Sequence, residues 1–369
     1  MSEFVPLNDV SRDLRSIESA LQDLFSRFVA GRSLVMGEAV EAFESRFAKW
    51  NDSECCVGCA NGTDALELAF RALKANDGAK IAMTANAGGY AAHAAAACGA
   101  NPVYVDVDPD TMLMDPRDFE RVAAETDVVC VTHLYGRLAA MDAIVSIARA
   151  HNVRVVEDCA QAHGAQRNGV KAGAFGDIGC FSFYPTKNLG ALGDGGAIVT
   201  DDQDLANAVR RLRQYGWTDR FRAELPGGRN SRLDALQADV LSLRLTQLND
   251  RNARRRAIGL RLAAACASVG RRLSPQRPGT GDQDHVYHLF VVQTDDREAA
   301  QAHMKERNIG VGVHYPHLDI AQPALSTFTE ERPLPNSLAV SNRILTLPCF
   351  PELDETEIQR VEDSIGSFR

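Results

Sequence analysis

The chain has 369 residues, of which 45% are hydrophobic and 24% are charged, and its formal net charge is -9 at pH 7. This composition is typical of a globular protein and not of a disordered one, and the length predicts a large domain with a smaller one. The acidic balance and the lack of a long basic run argue against a nucleic-acid partner.

The N-terminus and the cysteines bear on the cellular location of the protein and on metal binding. The first residues, MSEFVPLNDVSRDL, contain no continuous apolar segment of the secretory type, and no apolar stretch is long enough to span a bilayer. We therefore expect a cytoplasmic protein without a membrane partner. The nine cysteines are an odd number, and the close group Cys55, Cys56 and Cys59 has no second pair at zinc-finger spacing. Buried free thiols and no metal site are expected.

In chain order, the first element is an amphipathic helix at about residues 10–29, because apolar residues recur there every three or four positions. From residue 55 to residue 200, short apolar runs alternate with helical stretches. The runs are IAM (81–83), PVYVDV (102–107), DVVCVTH (127–133), VRVVED (153–158) and CFSF (180–183). This alternation is typical of an α/β fold with a mainly parallel central sheet and helices on both faces. Such sheets bind ligands at the carboxyl ends of their strands.

The remaining chain predicts a smaller α/β unit. A further strand, AIVT, ends at residue 200, a glycine-rich charged loop covers 216–232, and a long helix or helix pair covers 233–269. Strands at 286–292 and 309–314, a helix near 297–307 and a closing helix from about Asp354 follow. We expect a large domain over residues 1–250 and a small C-terminal domain over 251–369, with the helix at about 10–29 packed on the small domain.

One lysine lies in an unusual setting. The stretch CFSFYPTKNLGALGDGGAIVT (180–200) places Lys187 in a glycine-rich turn directly after a buried strand. Lysine is the side chain that forms a Schiff base with an aldehyde cofactor, and it needs a protected site that lowers its pKa. On spacing alone, an exposed loop lysine beside flexible glycines is the commoner explanation. Two further motifs make a cofactor-binding lysine the better explanation.

The first of them is VRVVEDCAQAHGA (153–165), an apolar strand that ends in Glu157 and Asp158. A pyridinium nitrogen needs a carboxylate partner to stay protonated, and Asp158 is placed to supply one. An ordinary helix N-cap is an equally good explanation when the motif is considered alone. The lysine 29 positions later favours the cofactor interpretation.

The second is CANGTDALELAF (59–70), in which Gly62, Thr63 and Asp64 precede a helix. A helix N-terminus presents unpaired N–H groups and partial positive charge, so it can hold a phosphate dianion. By itself this pattern is only a capping signal. Ser182, on the strand that leads to the lysine, adds a hydroxyl to the same predicted phosphate site.

With these motifs in this order, the chain resembles the DegT/DnrJ-type nucleotide-sugar aminotransferase family of fold type I pyridoxal-phosphate enzymes. The resemblance runs from about Val35 to the closing helix. It is carried by GTDAL, VDVDPDT, HLYG, EDCAQAHGA, SFYPTKNLGALGDGGA, NSRLDALQA and HYPHLDIAQPA. It implies that the large domain binds pyridoxal 5'-phosphate, that Lys187 and Asp158 are catalytic, and that the protein is a homodimer.

The resemblance also implies roles for other residues. Gly62, Thr63, Asp64 and Ser182 fall at phosphate-binding positions. Gln161 would lie near the ring oxygen of the cofactor. Asn230 matches an asparagine that reaches the cofactor phosphate of the neighbouring subunit, so the two active sites would be shared across the dimer interface.

The aromatic residue that stacks on the cofactor ring in the family is missing from its usual place. Gly88 aligns with it, and Tyr90, two positions later, is the candidate. Packing of Tyr90 on the sheet face is the alternative.

Substrate contacts are expected from four residues in matching motifs and one in a loop. His163, Tyr184, His314 and Tyr315 would face the sugar or its diphosphate, and Arg229 would offer positive charge from the other subunit. For each of the four in matching motifs, a purely structural hydrogen-bonding role is the alternative.

The resemblance implies transamination with glutamate as amino donor and a nucleotide-linked keto sugar as acceptor. The run KNLGALGDGGA resembles the branch that acts on 3-keto sugars more than the branch with a TGEGG-like run, which often acts on 4-keto sugars. We expect conversion of a dTDP-3-keto-6-deoxyhexose to the 3-amino sugar, as in lipopolysaccharide, O-antigen or glycosylated natural-product biosynthesis. A 4-keto sugar or a cyclitol ketone remains an alternative.

Two other functions on the same fold are less compatible with the motifs. In the related sugar dehydratases, histidine holds the position of the lysine, so Lys187 argues against that reaction. A non-catalytic cofactor-binding sensor would be expected to lose Lys187, Asp158 or the phosphate loop, and this chain has all three.

Overall fold

The computed structural model describes residues 3–31, 33–277, 283–325 and 332–368. The strands in these ranges are β1 (Cys55–Cys59), β2 (Lys80–Thr84), β3 (Asn101–Val105), β4 (Val128–Thr132), β5 (Arg154–Asp158), β6 (Gln166–Arg167), β7 (Val170–Lys171), β8 (Ile178–Ser182), β9 (Gly196–Thr200), β10 (Trp217–Asp219), β11 (Arg222–Ala223), β12 (Ser274–Pro275), β13 (Phe290–Gln293) and β14 (Ile344–Leu347). The α-helices are α1 (Val10–Ser16), α2 (Glu18–Ala30), α3 (Glu38–Asn51), α4 (Gly62–Ala72), α5 (Tyr90–Ala97), α6 (Pro116–Glu120), α7 (Met141–Ala150), α8 (Gln203–Leu212), α9 (Ala235–Leu245), α10 (Leu248–Ser268), α11 (Arg297–Glu306), α12 (Pro335–Arg343) and α13 (Glu355–Gly366).

A seven-stranded sheet forms the centre of the described residues, in the order β1-β9-β8-β5-β4-β2-β3. All neighbours from β8 to β3 pair in parallel, whereas β9 is antiparallel to both β8 and β1. The predicted mainly parallel α/β sheet is therefore confirmed. Strands β1, β4 and β9 are buried at every position, as expected for a sheet that helices cover on both faces.

The two faces of the sheet pack against different helices because successive strand residues point to opposite sides. Cys130 of β4 belongs to the core formed with α4, α5 and α8, whereas its neighbours Val129 and Val131 pack with α7. Farther along the second face, Phe181 of β8 meets Phe47 of α3 edge to face, with ring centroids 5.0 Å apart. The carboxyl ends of β4, β5 and β8 consequently lie side by side at one edge of a rigid layer.

A second core lies around the small sheet β12-β13-β14. It combines apolar residues of α10, α11 and α13 with Val5 from the N-terminal segment. Arg12 of α1 adds an ion pair to Glu357 of α13, Nη1 to Oε2 2.7 Å. The division of the chain into domains at residue 250 stays a prediction; α10 begins at Leu248 and contributes to this second core.

Several predicted elements differ in detail. The helix expected at about 10–29 is interrupted at Ile17, which separates α1 from α2. The strand expected at 286–292 begins only at Phe290, because Tyr287 has a positive φ of 45°. The prediction of a strand at 309–314 is wrong: Ile309 and Gly312 make only isolated bridges. The loop expected at 216–232 contains the short hairpin β10-β11.

Two other expectations concerned the state of the cysteines and the lack of a membrane-spanning segment. All nine cysteines are buried and unpaired, as predicted. Among the described residues, none of the helices has the length and apolarity that crossing a membrane requires.

The contact between α10 and Tyr287 gives a stability prediction. A Cβ at Gly259 would lie 2.5 Å from Cδ1 of Tyr287, whose ring stacks on His285 with centroids 3.8 Å apart. We expect Gly259→Ala to lower the free energy of unfolding by about 1–3 kcal/mol through overpacking. The control is Gly366→Ala in α13, where nothing lies within 4 Å of the added atom. This control should be stabilising, by up to about 1 kcal/mol. Urea unfolding measures both, and equal effects would contradict the packing argument.

Candidate active site

Strand β5 ends in two adjacent carboxylates, and the pleat sends them to opposite sides. Glu157 is fully buried and accepts hydrogen bonds from the backbone N–H groups of Gly173, Phe175 and Gly176, at 2.9, 2.7 and 2.8 Å. Its Oε2 also lies 2.9 Å from Nε2 of His133. These contacts satisfy the buried charge and fasten the loop before β8 to β5.

The carboxylate of Asp158 has fewer partners. Its Oδ2 accepts a hydrogen bond of 3.2 Å from Oγ1 of Thr132, and its Oδ1 accepts one of 3.1 Å from the backbone N–H of Ala160. Burial raises the pKa of Asp158, and the nearby amine of Lys187 partly opposes that rise. A cationic group placed against this carboxylate would therefore lower its pKa and stabilise its charge.

Lys187 is held by the loop between β8 and β9. Its backbone N–H donates to the carbonyl of Tyr184 at 2.8 Å. The side chain of Asn188 donates to Oδ1 of Asn252 at 2.9 Å and to the carbonyl of Val286 at 3.1 Å, which fixes the loop against α10. Burial lowers the pKa of the Lys187 amine to about 8. A substantial fraction of this amine is therefore uncharged and nucleophilic at mildly basic pH.

Asp158 and Lys187 line one cavity of about 500 Å³. Helix α4 begins at its wall, and the N-cap Asn61 accepts a hydrogen bond from the N–H of Asp64 at 2.8 Å. The first N–H groups of a helix have no partner inside it, so those of Gly62 and Thr63 remain available to an anion. A Cβ at Gly62 would lie 2.5 Å from Cβ of Ser182, so this close approach requires glycine. The cavity is lined by Asn61, Gly62, Thr63, Leu66, Tyr90, Asp158, Ala160, Ser182, Tyr184, Lys187 and Asp194.

The region around Gly88 explains why an aromatic side chain is absent there. Gly88 has a φ of 86°, and a Cβ on it would lie 3.0 Å from Cε2 of Tyr90 and 3.2 Å from the ring of Tyr315. These two tyrosine rings meet edge to face, with centroids 6.1 Å apart. Tyr90 and Tyr315 therefore fill the space that a side chain at position 88 would need.

A second cavity of about 300 Å³ shares Tyr90, Tyr184 and Lys187 with the first. Burial and the charge of Lys187 lower the pKa of His314, whose Nδ1 lies 2.8 Å from Oγ1 of Thr346. The cavity is lined by Leu7, Asn8, Tyr90, Tyr184, Thr186, Lys187, Arg255, His288, Leu289, His314, Tyr315, Leu347 and Cys349.

Gln161 is connected to this cavity through a tyrosine. Its Nε2 donates to Oη of Tyr315 at 3.3 Å, and its Oε1 accepts from the N–H of Tyr135 at 2.6 Å. Gln161 itself is buried and does not line either cavity.

Other expected site residues lie away from both cavities. The ring of His163 is fully buried and packs on Phe181 and Phe183, with centroids 5.4 and 5.8 Å apart, so the structure does not bring it to a substrate surface. Arg229 forms an ion pair with Asp64, Nη2 to Oδ1 3.2 Å, and a second one with Glu67.

Asn230 is exposed and lines neither cavity of its own chain. Its role at a neighbouring subunit stays a prediction.

The sequence analysis missed several cavity-lining polar residues, and those among them with ionisable side chains include Asp194, Arg255 and His288. Arg255 belongs to the run NARRRA, which has the composition of an exposed helix surface. It is buried where α10 packs on the segments that precede β13 and follow β14. Asp194 stands in the glycine-rich run after Lys187, and that position is a signal that the sequence did offer.

The residues of the first cavity suit pyridoxal phosphate. The free N–H groups of α4 and the hydroxyl of Ser182 suit a phosphate dianion. The incompletely paired carboxylate of Asp158 suits a protonated ring nitrogen, and the amine of Lys187, with its lowered pKa, suits an aldehyde.

Known proteins resemble this chain over nearly its whole length. The chain matches the DegT/DnrJ/EryC1/StrS aminotransferase family over residues 15–366. It is 38% identical over 365 residues to the dTDP-3-amino-3,6-dideoxy-alpha-D-galactopyranose transaminase of Aneurinibacillus thermoaerophilus, covering 99% of each chain.

Two solved structures share the fold. The crystal structure of DesV from S. venezuelae in complex with a ketimine intermediate has a TM-score of 0.94 and 35% identity, covering 99% of this chain and 98% of that one. The structure of ntda from Bacillus subtilis with bound cofactor PMP has a TM-score of 0.92 and 26% identity, covering 99% of this chain and 85% of that one. The chain thus belongs to the DegT/DnrJ/EryC1/StrS aminotransferase family and is an aminotransferase that uses pyridoxal phosphate.

Proposed function

We propose that this enzyme transfers the amino group of glutamate to C3 of a nucleotide-linked keto sugar, most directly a dTDP-3-keto-6-deoxyhexose, and so forms the 3-amino sugar. The observation that carries the proposal is the meeting of Lys187 and Asp158 in one cavity beside the N-terminus of α4. The full-length similarity to a dTDP-3-amino-sugar transaminase supports the choice of C3 and of the nucleotide. Amination at C4 or of a cyclitol ketone is the competing outcome.

When bound, pyridoxal phosphate supplies an electron sink that stabilises negative charge on the carbon beside the transferred nitrogen. Asp158 would hold the proton on the ring nitrogen, and this pairing would in turn compensate the buried carboxylate. Thr132 and the N–H of Ala160 orient its two oxygens.

Lys187 acts twice. Its uncharged amine, which the lowered pKa of about 8 favours, would hold the aldehyde of the cofactor. As a free amine, the same group would move a proton to and from the substrate carbon as general base and acid. The anchoring of Asn188 to Asn252 and Val286 keeps the loop of Lys187 in place during both steps.

The remaining predicted site residues would bind and orient the cofactor and the substrate. Gly62, Thr63 and Ser182 would hold the phosphate, and Tyr90 would stack on the ring. Gln161 would lie near the ring oxygen, behind the hydroxyl of Tyr315 to which it donates. Tyr184, His314 and Tyr315 would contact the reacting end of the sugar, which enters the space between the two cavities after the amino donor has left. His163 supports the aromatic core behind the site instead of contacting substrate, since it is fully enclosed by that core.

The enzyme further acts as a homodimer in which Asn230 of one subunit reaches the cofactor phosphate of the other. Exposed apolar side chains at Phe25, Val29 and Leu34 support a contact surface near the N-terminal helix α2.

A cytoplasmic location is also part of the proposal. It is supported by the nine unpaired thiols, which are typical of a reducing compartment.

Product analysis tests the reaction. The purified enzyme with pyridoxal phosphate should change its visible absorption when glutamate is added. A panel of dTDP- and UDP-linked 3-keto and 4-keto sugars, with NMR of the products, should show nitrogen at C3. Nitrogen at C4 would refute the proposed position, and no response to glutamate would refute the donor.

Mixed dimers test the shared site. Lys187→Ala and Asn230→Ala should each abolish or strongly reduce turnover, because each removes one half of a site. Co-expressed with different tags and purified as a heterodimer, they should regain activity, since one site then has both residues. A heterodimer of Lys187→Ala and Asp158→Asn is the matched control and should stay inactive. If the first heterodimer is also inactive, Asn230 does not act across the interface.

The proposed stacking of Tyr90 is tested by cofactor affinity. Tyr90→Ala should raise the Kd for pyridoxal phosphate about 3- to 10-fold, the size expected from one aromatic contact. Tyr90→Phe keeps the ring and should bind the cofactor like the wild type. Fluorescence titration of the apoenzyme measures both values. An unchanged Kd in Tyr90→Ala would mean that this ring only packs on Tyr315.

A further inference from the structure

Arg255 presents a buried positive charge at the wall of the second cavity. It lies on α10 and is only 5% exposed, yet it lines the same cavity as Lys187, His288 and His314. The sequence analysis gave it no role, and the chemistry assigned to Lys187 and Asp158 does not use it.

The contacts of Arg255 hold it in place without neutralising it. Its Nη1 donates to the backbone carbonyls of Tyr287, His288 and Cys349, at 3.2, 3.4 and 2.7 Å. Carbonyl groups carry no net charge. Among the residues that the structure describes, no carboxylate forms an ion pair with this guanidinium.

Its arginine neighbours are compensated. Arg244 and Arg251 both pair with Asp13, and Arg251 also pairs with Glu352, Nη1 to Oε1 2.7 Å. The carboxylates of Asp13 and Glu352 thus pair with Arg244 and Arg251, and neither forms an ion pair with Arg255. Burial lowers its pKa to about 10, so it still carries its charge at neutral pH. A buried charge without an opposite charge beside it destabilises the fold. An anionic ligand in the cavity would supply that opposite charge.

The size and position of the cavity limit that ligand. At about 300 Å³ the space suits a small molecule and not a nucleotide sugar, and its wall includes Lys187, where amino transfer takes place. Exposed Asn8 also lines it, so it borders the surface of the chain. A planar guanidinium matches a carboxylate in charge and in shape.

We propose that Arg255 binds a carboxylate of the amino-acid donor, an α-amino dicarboxylic acid such as glutamate, and thereby directs its amino group toward Lys187. This assignment rests on the proposed function only in taking glutamate as the donor. The larger cavity is left to the cofactor and the sugar acceptor.

Arg255→Gln is the informative variant, because glutamine keeps an amide donor for the three carbonyls but removes the charge. In the holoenzyme, the apparent Kd for glutamate in the first half-reaction should rise about 10- to 100-fold, the loss expected for one charged hydrogen-bonding partner. Protein preloaded with pyridoxamine phosphate should aminate the keto sugar at the wild-type rate. Arg255→Lys should recover part of the glutamate affinity.

The control is Arg254→Gln, which removes a charge from the adjacent helix position, where Arg254 pairs with Glu355 at the surface. It should leave glutamate affinity unchanged. A readout without turnover is thermal stabilisation by glutarate, a dicarboxylate that has no amino group. Glutarate should raise the Tm of the wild type and of Arg254→Gln but not that of Arg255→Gln.

Unchanged glutamate affinity in Arg255→Gln would overturn the inference. So would an equal loss of both half-reactions with a lowered Tm, which is the result expected if Arg255 only supports the three carbonyls. Arg255-dependent binding of glutamate by an enzyme that aminates no nucleotide sugar would support the inference and refute the proposed acceptor. The two failures are thus distinguishable.

Discussion

The site depends on how the fold compensates buried charge at the carboxyl end of β5. Glu157 and Asp158 are neighbours in sequence, but the pleat separates them, and their surroundings differ. Three backbone N–H groups and His133 surround Glu157, so its charge is satisfied within the protein. Among the described residues, Asp158 accepts hydrogen bonds from Thr132 and from the N–H of Ala160, and it can still pair with a cation. Glu157 therefore stabilises the edge of the sheet, and Asp158 is the carboxylate that stays available to the proposed cofactor.

Buried polar groups are also paired along α10, the helix that links the core of the large sheet to the core around the small sheet. On one side of α10, Asn252 is bonded to Asn188, directly after Lys187, and donates to the carbonyl of His163 at 2.7 Å. On the same face, three residues later, Arg255 is bonded to the carbonyls that precede β13 and follow β14. Buried polar groups must be paired, so these contacts connect the lysine loop with the small sheet. The position of Lys187 thus depends on residues far from it in the chain.

Part of this arrangement could be predicted from local patterns. The order of short apolar runs and helical stretches predicted the parallel sheet. Asp158 stood out because it ends one buried strand, and Lys187 stood out because it lies in the glycine-rich turn after another. Boundaries were less predictable. Tyr287 lies in an apolar run but has a positive φ, and its ring stacks on His285, so β13 starts four residues later than the pattern suggests. His163 belongs to a cofactor motif, yet tertiary packing encloses it between Phe181 and Phe183.

The sequence by itself determined the α/β class, the family resemblance, the cofactor and the two residues at its centre, because strand periodicity and motif order are local properties of the chain. Only the tertiary structure decided which polar residues share a cavity. Tyr90 and Tyr315 are far apart in the chain, and their rings together fill the space beside Gly88. Arg255 has the sequence surroundings of a surface arginine, and its burial without a carboxylate follows from the packing of α10 on the small sheet. Burial and charge compensation are set by contacts between distant segments, which no local pattern records.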